Sequence, residues 1–181
     1  MGLRLAGEVE AEIAKTKGDF RVSMIGHSMG GLIIRSALPH LDRHKDKFHS
    51  LVTFSSPHIG YAYSESKLVD AGLWLMNTMK KCTSIEQMTM SDNPVMQSCF
   101  LYKLSQQKGL EWFKKITFLA SHQDSYVPFY SARIQKSKEI HTDFKKGFSR
   151  GILYCQMIEN ILNRINGKLI RLDVNFCIQE Q

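Results

Sequence analysis

The chain has 181 residues, 43% of them hydrophobic, with a formal net charge of +7 and an isoelectric point near 9.3. That length and apolar content suit one domain with a real core. No run of residues approaches a membrane span, the start lacks a signal-peptide apolar core, and no nucleic-acid motif or aromatic interleaving accompanies the positive charge.

In chain order, Leu3 to Thr16 sets Leu3, Val9 and Ile13 among glutamates at helical spacing, and Lys17-Gly18 closes it. The stretch Phe20 to Ile34 then reads as a buried strand, a very tight turn and the start of a helix running to Leu41, with Pro39 late in it. After a polar segment from Asp42 to His49, Ser50 to Ser55 is a second strand, stopped by Ser56-Pro57-His58-Ile59-Gly60. Tyr61 to Gly109 is helical and uneven, with Leu68, Trp74, Met76, Met79, Phe100 and Leu104. Its length exceeds an ordinary crossover, which predicts a helical cap over about 61–109. Its apolar stripe suits plain packing as well as an acyl-chain pocket. Ile116 to Ala120 is a third strand, 130–140 and 151–165 read as helices, and Lys168 to Val174 is a fourth strand. Strands alternating with helices predict an α/β fold with a mainly parallel sheet.

The centre of the tight turn is Gly26-His27-Ser28-Met29-Gly30. In a nucleophile elbow a serine is forced onto a strained strand-to-helix turn, so that its hydroxyl stands clear at the carboxyl end of the strand. Ser28 is that serine, with Gly26 and Gly30 expected to supply space where a Cβ would collide and Gly31 expected to extend that allowance into the first helical turn. The Met29 N–H, left unpaired at the helix start, is expected to point where an acyl oxyanion forms.

A serine hydroxyl needs a base, normally a histidine steadied by a carboxylate. Asp124 follows the third strand directly, on the rim expected for Ser28, whereas Asp173 lies within a strand pattern and Asp92 within the predicted cap. The only histidine after Asp124 is His141, among lysines near the end of a predicted helix, and it reads as a surface residue. His27 and His58 stand near the rim as candidate site-lining residues. His40 and His44 have i, i+4 spacing without an H-E-x-x-H string, so neither metal nor cofactor is expected.

The four cysteines, Cys82, Cys99, Cys155 and Cys177, form no C-x-x-C pair and fit reduced thiols of a cytoplasmic protein. Much of the positive charge falls after residue 100. It reads as solvated helix faces, or as a basic face for peripheral contact with anionic lipid headgroups.

Ile25 to Gly30, Ile33 to Ser36, Ser56 to Gly60, Gly72 to Trp74, Phe100 to Ser105 and Gln123 to Pro128 with Ser131 to Ile134 together resemble the serine esterases with a lipase-like α/β-hydrolase domain. Within that family they are similar to the animal proteins named only as a "family with sequence similarity". The resemblance spans nearly the whole chain. It implies Ser28 as nucleophile, Asp124 as acid and a carboxylic ester, such as a lipid ester, as substrate. Two departures follow. In such proteins the catalytic histidine comes after the strand resembling Lys168 to Val174, and only Asn175 to Gln181 remain here, without a histidine. Strands expected before the first helix, including the loop with a second oxyanion donor, are missing too. The expectation is a partial α/β-hydrolase domain over 1–181, incomplete at both ends and of weak or no turnover alone. The alternative is an inactive lipase-like binding or scaffold module.

Overall fold

The four apolar runs become one all-parallel sheet, β1 (Val22–His27), β2 (Phe48–Phe54), β3 (Lys115–Ala120) and β4 (Leu169–Asp173), in the order β1-β2-β3-β4. The computed structural model describes residues 1–61, 63, 83–165 and 169–177. Parallel neighbours need a crossover, so every strand points its carboxyl end to the same rim, and the loops that follow the strands meet there.

The register separates two faces. Met24, Leu51 and Ile116 lie in one row, and Gly26, Thr53 and Phe118 in the next; both rows are buried beneath helices. The opposite face carries Ile25, Val52, Thr117 and Ile170 in one row and His27, Phe54, Leu119 and Leu172 in the other. Ile25, Phe54, Ile170 and Leu172 are exposed there, Ile25 at 73%.

Helix α1 (Gly2–Lys15) turns Ala6 and Ile13 inward and its glutamates outward, and it packs along α2 (Gly30–Ala37). Helical geometry after the elbow stops at Ala37, earlier than the pattern predicts, and Leu38–Lys47 continues as a 3-10 helix. Pro39 is the cause, because it has no N–H to return to the preceding turn. Strand β2 starts at Phe48, before the predicted Ser50, because Phe48 is drawn into the core against Trp112 and Phe113, at ring-centroid distances of 5.9 and 5.1 Å.

The predicted cap over 61–109 falls partly on 62 and 64–82, which lie outside the described residues. Its second half holds α3 (Thr83–Thr89) and α4 (Phe100–Ser105). These join the core layer: Met88, Met90, Leu101 and Leu104 are buried, and α4 packs on α7 (Ser149–Leu162) through Tyr102 Oη to Gln156 Oε1 (3.1 Å) and Asn160 Nδ2 to Ser105 Oγ (3.2 Å). The apolar stripe of 83–109 therefore serves packing.

The helix predicted over 130–140 is two, α5 (Phe129–Arg133) and α6 (Lys138–Lys145). Ile134 takes a left-handed conformation (φ 52°) that ends the first. The Ser137 hydroxyl accepts from the Ile140 N–H (3.2 Å) to start the second. Arg171 on β4 then ties that break to the sheet, donating to the carbonyls of Arg133 (2.7 Å) and Ile134 (3.2 Å).

Candidate active site

Ser28 follows β1 directly and holds φ at 52°, a conformation that L-residues other than glycine seldom adopt without compensation. The compensation lies in the ladder, which continues one residue beyond the strands. The Ser28 N–H donates to the Phe54 carbonyl (2.9 Å), Ser55 N–H to Leu119 (3.1 Å), and Val174 N–H to Ala120 (2.8 Å). Ser55, at the matching point after β2, is also left-handed (φ 44°).

The elbow's glycines divide differently from the sequence reading. A Cβ on Gly26 would meet Gly31 N at 2.8 Å and Gly30 C at 2.9 Å, so the strand must be bare where α2 doubles back. A Cβ on Gly30 would meet nothing. The second crowded position is Gly31, where a Cβ would lie 2.5 Å from Ser56 Oγ and 3.0 Å from His58 Cε1. Close approach of the loop after β2 to the first turn of α2 sets that demand. The Met29 N–H donates to no carbonyl among the described residues, while the Met29 carbonyl accepts from Ile33 N–H (3.0 Å).

Asp124 stands in the loop after β3, half-buried. Its Oδ1 accepts from the backbone N–H groups of Tyr126 (2.8 Å) and Val127 (2.9 Å), a side-chain turn that fixes the carboxylate as the chain enters α5. Tyr61, nearly buried beside it, has its phenol held protonated far above the usual range, first by burial and then by the charges of Asp124 and Tyr130. The two rejected carboxylates have structural partners: Asp92 Oδ2 accepts from the Phe100 N–H that opens α4 (2.8 Å), and Asp173 pairs with Arg133.

Ser28 and Asp124 open onto one cavity of about 440 Å³ at the carboxyl rim. His27, Phe54, Leu119, Val127, Val174 and Phe176 complete most of a largely apolar wall. The apolar row on the exposed sheet face thus runs into the cavity. Val174 and Phe176 escaped the sequence reading, because their place depends on β4 pairing with β3. Gln123 then clamps the tail over the Asp124 loop, with Phe176 N–H donating to Gln123 Oε1 (2.6 Å) and Gln123 Nε2 to the Phe176 carbonyl (3.0 Å).

The histidines are spread out. His27 lines the cavity next to Ser28. His58 does not line it: the ring is fully buried behind the elbow, against Phe118 (4.7 Å between centroids), with Nε2 bonded to Thr53 Oγ1 (2.9 Å) and Nδ1 without a partner. Burial, and then the nearby charge of Arg35, hold its imidazole neutral well below the ordinary histidine range. His122 stacks on Phe129 and His141 is exposed on α6. Among the described residues no hydrogen bond joins a histidine to the Ser28 hydroxyl, and no group of His, Cys, Asp or Glu side chains could hold a metal ion.

A family model described as "Putative serine esterase (DUF676)" matches residues 1–138. The chain belongs to that serine esterase family. The matched span contains the elbow with Ser28, the crowded Gly26 and Gly31, and the Asp124 loop. The family's serine esterase description fits a four-stranded parallel sheet whose carboxyl rim brings a strained serine and an anchored carboxylate to one apolar cavity. Among the described residues of this serine esterase family member, no helix is long and apolar enough to cross a membrane.

Proposed function

We propose that this chain carries the nucleophile and acid of a carboxylic-ester hydrolase, with Ser28 as nucleophile and Asp124 as the carboxylate that steadies a histidine. The observation that carries this reading is the cavity they share. Ser28 Oγ adds to the ester carbonyl carbon while its proton passes to the base. The charge on the carbonyl oxygen is met by the Met29 N–H. Collapse of that adduct releases the alcohol, which takes the proton, and water repeats the sequence to free the acid. Apolar walls of about 440 Å³ suit an acyl chain, so the substrate class proposed is a lipid ester.

The base is the part left to be supplied, because among the described residues no hydrogen bond joins a histidine to the Ser28 hydroxyl. Without it, oxyanion and binding effects alone leave a rate about 10³-fold over water in comparable triads. Added imidazole should fill the gap. With a p-nitrophenyl ester, it is expected to raise the turnover above that of Ser28→Ala by at least about tenfold, and Asp124→Asn should blunt the rise. An imidazole effect of the same size in Ser28→Ala contradicts the proposal. That result would favour the second reading, an inactive lipase-like binding module, which the scattered histidines also support.

A further inference from the structure

The turn between α6 and α7 has no part in the chemistry above, yet topology carries it to the same rim. Strands β3 and β4 are parallel, so α7, which leads into β4, must run from the carboxyl rim back across the sheet. Its amino end, and the turn before it, therefore stand at the end of the molecule where the cavity opens. Side chains agree with this placement. Tyr63, in the segment after β2, donates from its hydroxyl to Asp143 Oδ2 on α6 (2.8 Å) and lies beneath the Arg150 guanidinium (6.0 Å), while its N–H reaches the Tyr130 hydroxyl of α5 (3.3 Å).

Every residue from Phe144 to Arg150 is exposed. Phe144 and Phe148 show 44% and 54% of their surface, on either side of Gly147, whose φ of 74° makes the sharp reversal. Around them stand Lys145, Lys146, Arg150 and Lys136, the last with its ammonium 5.2 Å from the Phe144 ring. Residues 136–150 hold five cations against two carboxylates, Glu139 and Asp143, and Asp143 is already engaged by Tyr63. Lysines at the end of a helix are explained by its dipole alone. Two phenylalanines projecting into water beside them are not.

We propose that this turn docks the protein on an anionic lipid bilayer, with Phe144 and Phe148 entering the interface and Lys145, Lys146 and Arg150 meeting the headgroups. Charge complementarity selects that occupant. Each cation near an anionic leaflet attracts it, and aromatic rings gain free energy at the depth where headgroup meets acyl chain. Docking does not require Ser28; its use, delivering a lipid ester to the cavity at the same rim, rests on the esterase reading.

Co-sedimentation of the full chain with vesicles tests it, comparing phosphatidylcholine alone with phosphatidylcholine containing about 30 mol% phosphatidylserine. Binding is expected only to the anionic vesicles and should weaken as salt rises. The double variant Lys145→Glu/Lys146→Glu should lose at least about tenfold in partitioning, and Phe144→Ser/Phe148→Ser should lose a similar factor with unchanged circular dichroism. Ser28→Ala should bind as the parent does, which separates failure of the docking from failure of the esterase. Equal binding to neutral vesicles, undiminished binding by the charge-reversed variant, or capture of an acidic protein with no vesicle binding would overturn the proposal.

Discussion

Ser28 and His58 illustrate how single residues are constrained from opposite sides of the elbow. Ser28 spends roughly 1–3 kcal/mol in its left-handed conformation, which the bond from its N–H to Phe54 helps to hold. The His58 ring sits behind it, fully buried with Nε2 bonded to Thr53 Oγ1, and its burial has a measurable consequence. The unfolded chain protonates this imidazole near pH 6.5, whereas the folded chain resists until well below. Its contribution is therefore fully present above about pH 6.5 and falls as pH drops, by about 1.4 kcal/mol per unit until the folded-state pKa is reached. Urea midpoints of the parent and His58→Gln between about pH 7.5 and 5.5 check this. The gap between the two should narrow on acidification, and parallel profiles would contradict the assignment. The sequence shows His58 next to the rim. It cannot show that the ring turns inward, because that follows from Thr53 and Phe118 on the buried face of the sheet.

At the scale of elements, the structure is held by a splice between α2, the loop after β2 and α4. Arg35 on α2, buried and lacking a carboxylate partner among the described residues, donates to the carbonyls of His58 (2.7 Å) and Leu104 (3.3 Å). Burial lowers its pKa to about 10, still charged at neutral pH. That splice presses Ser56 and His58 against the first turn of α2, which makes Gly31 the sensitive glycine. Gly31→Ala is expected to cost about 1–3 kcal/mol, while Gly30→Ala, facing open space, should be neutral or stabilise by up to about 1 kcal/mol. Thermal unfolding of the two variants checks the order, and a reversed ranking would refute the close approach. Elements with a strong local period, α1 and the apolar strands, were legible from the chain alone. The 3-10 segment after Pro39 and the break at Ile134 were not. The first hangs on a missing N–H, and the second on a left-handed residue that is not glycine, stabilised by Arg171 from across the sheet.

At the scale of the molecule, one-way strand direction is what creates the candidate site. Ser28 and Asp124 belong to distant parts of the sequence, just after strands separated by β2, and line one cavity because all four strands end at one rim. Their shared rim could be read from the alternation of strands and helices. The cavity wall could not, because Val174 and Phe176 reach it only through the pairing of β4 with β3 and the clamp from Gln123. The part of the predicted cap that the structure describes gives Met88, Met90, Leu101 and Leu104 to the core, and α4 packs on α7. The most direct test of the whole account is peptide mapping by mass spectrometry after treatment with a fluorophosphonate in the presence of imidazole. The account predicts a single phosphonyl adduct on Ser28, lost in Ser28→Ala and slowed in Asp124→Asn; no adduct on Ser28, or one on another serine that Ser28→Ala leaves in place, would contradict it.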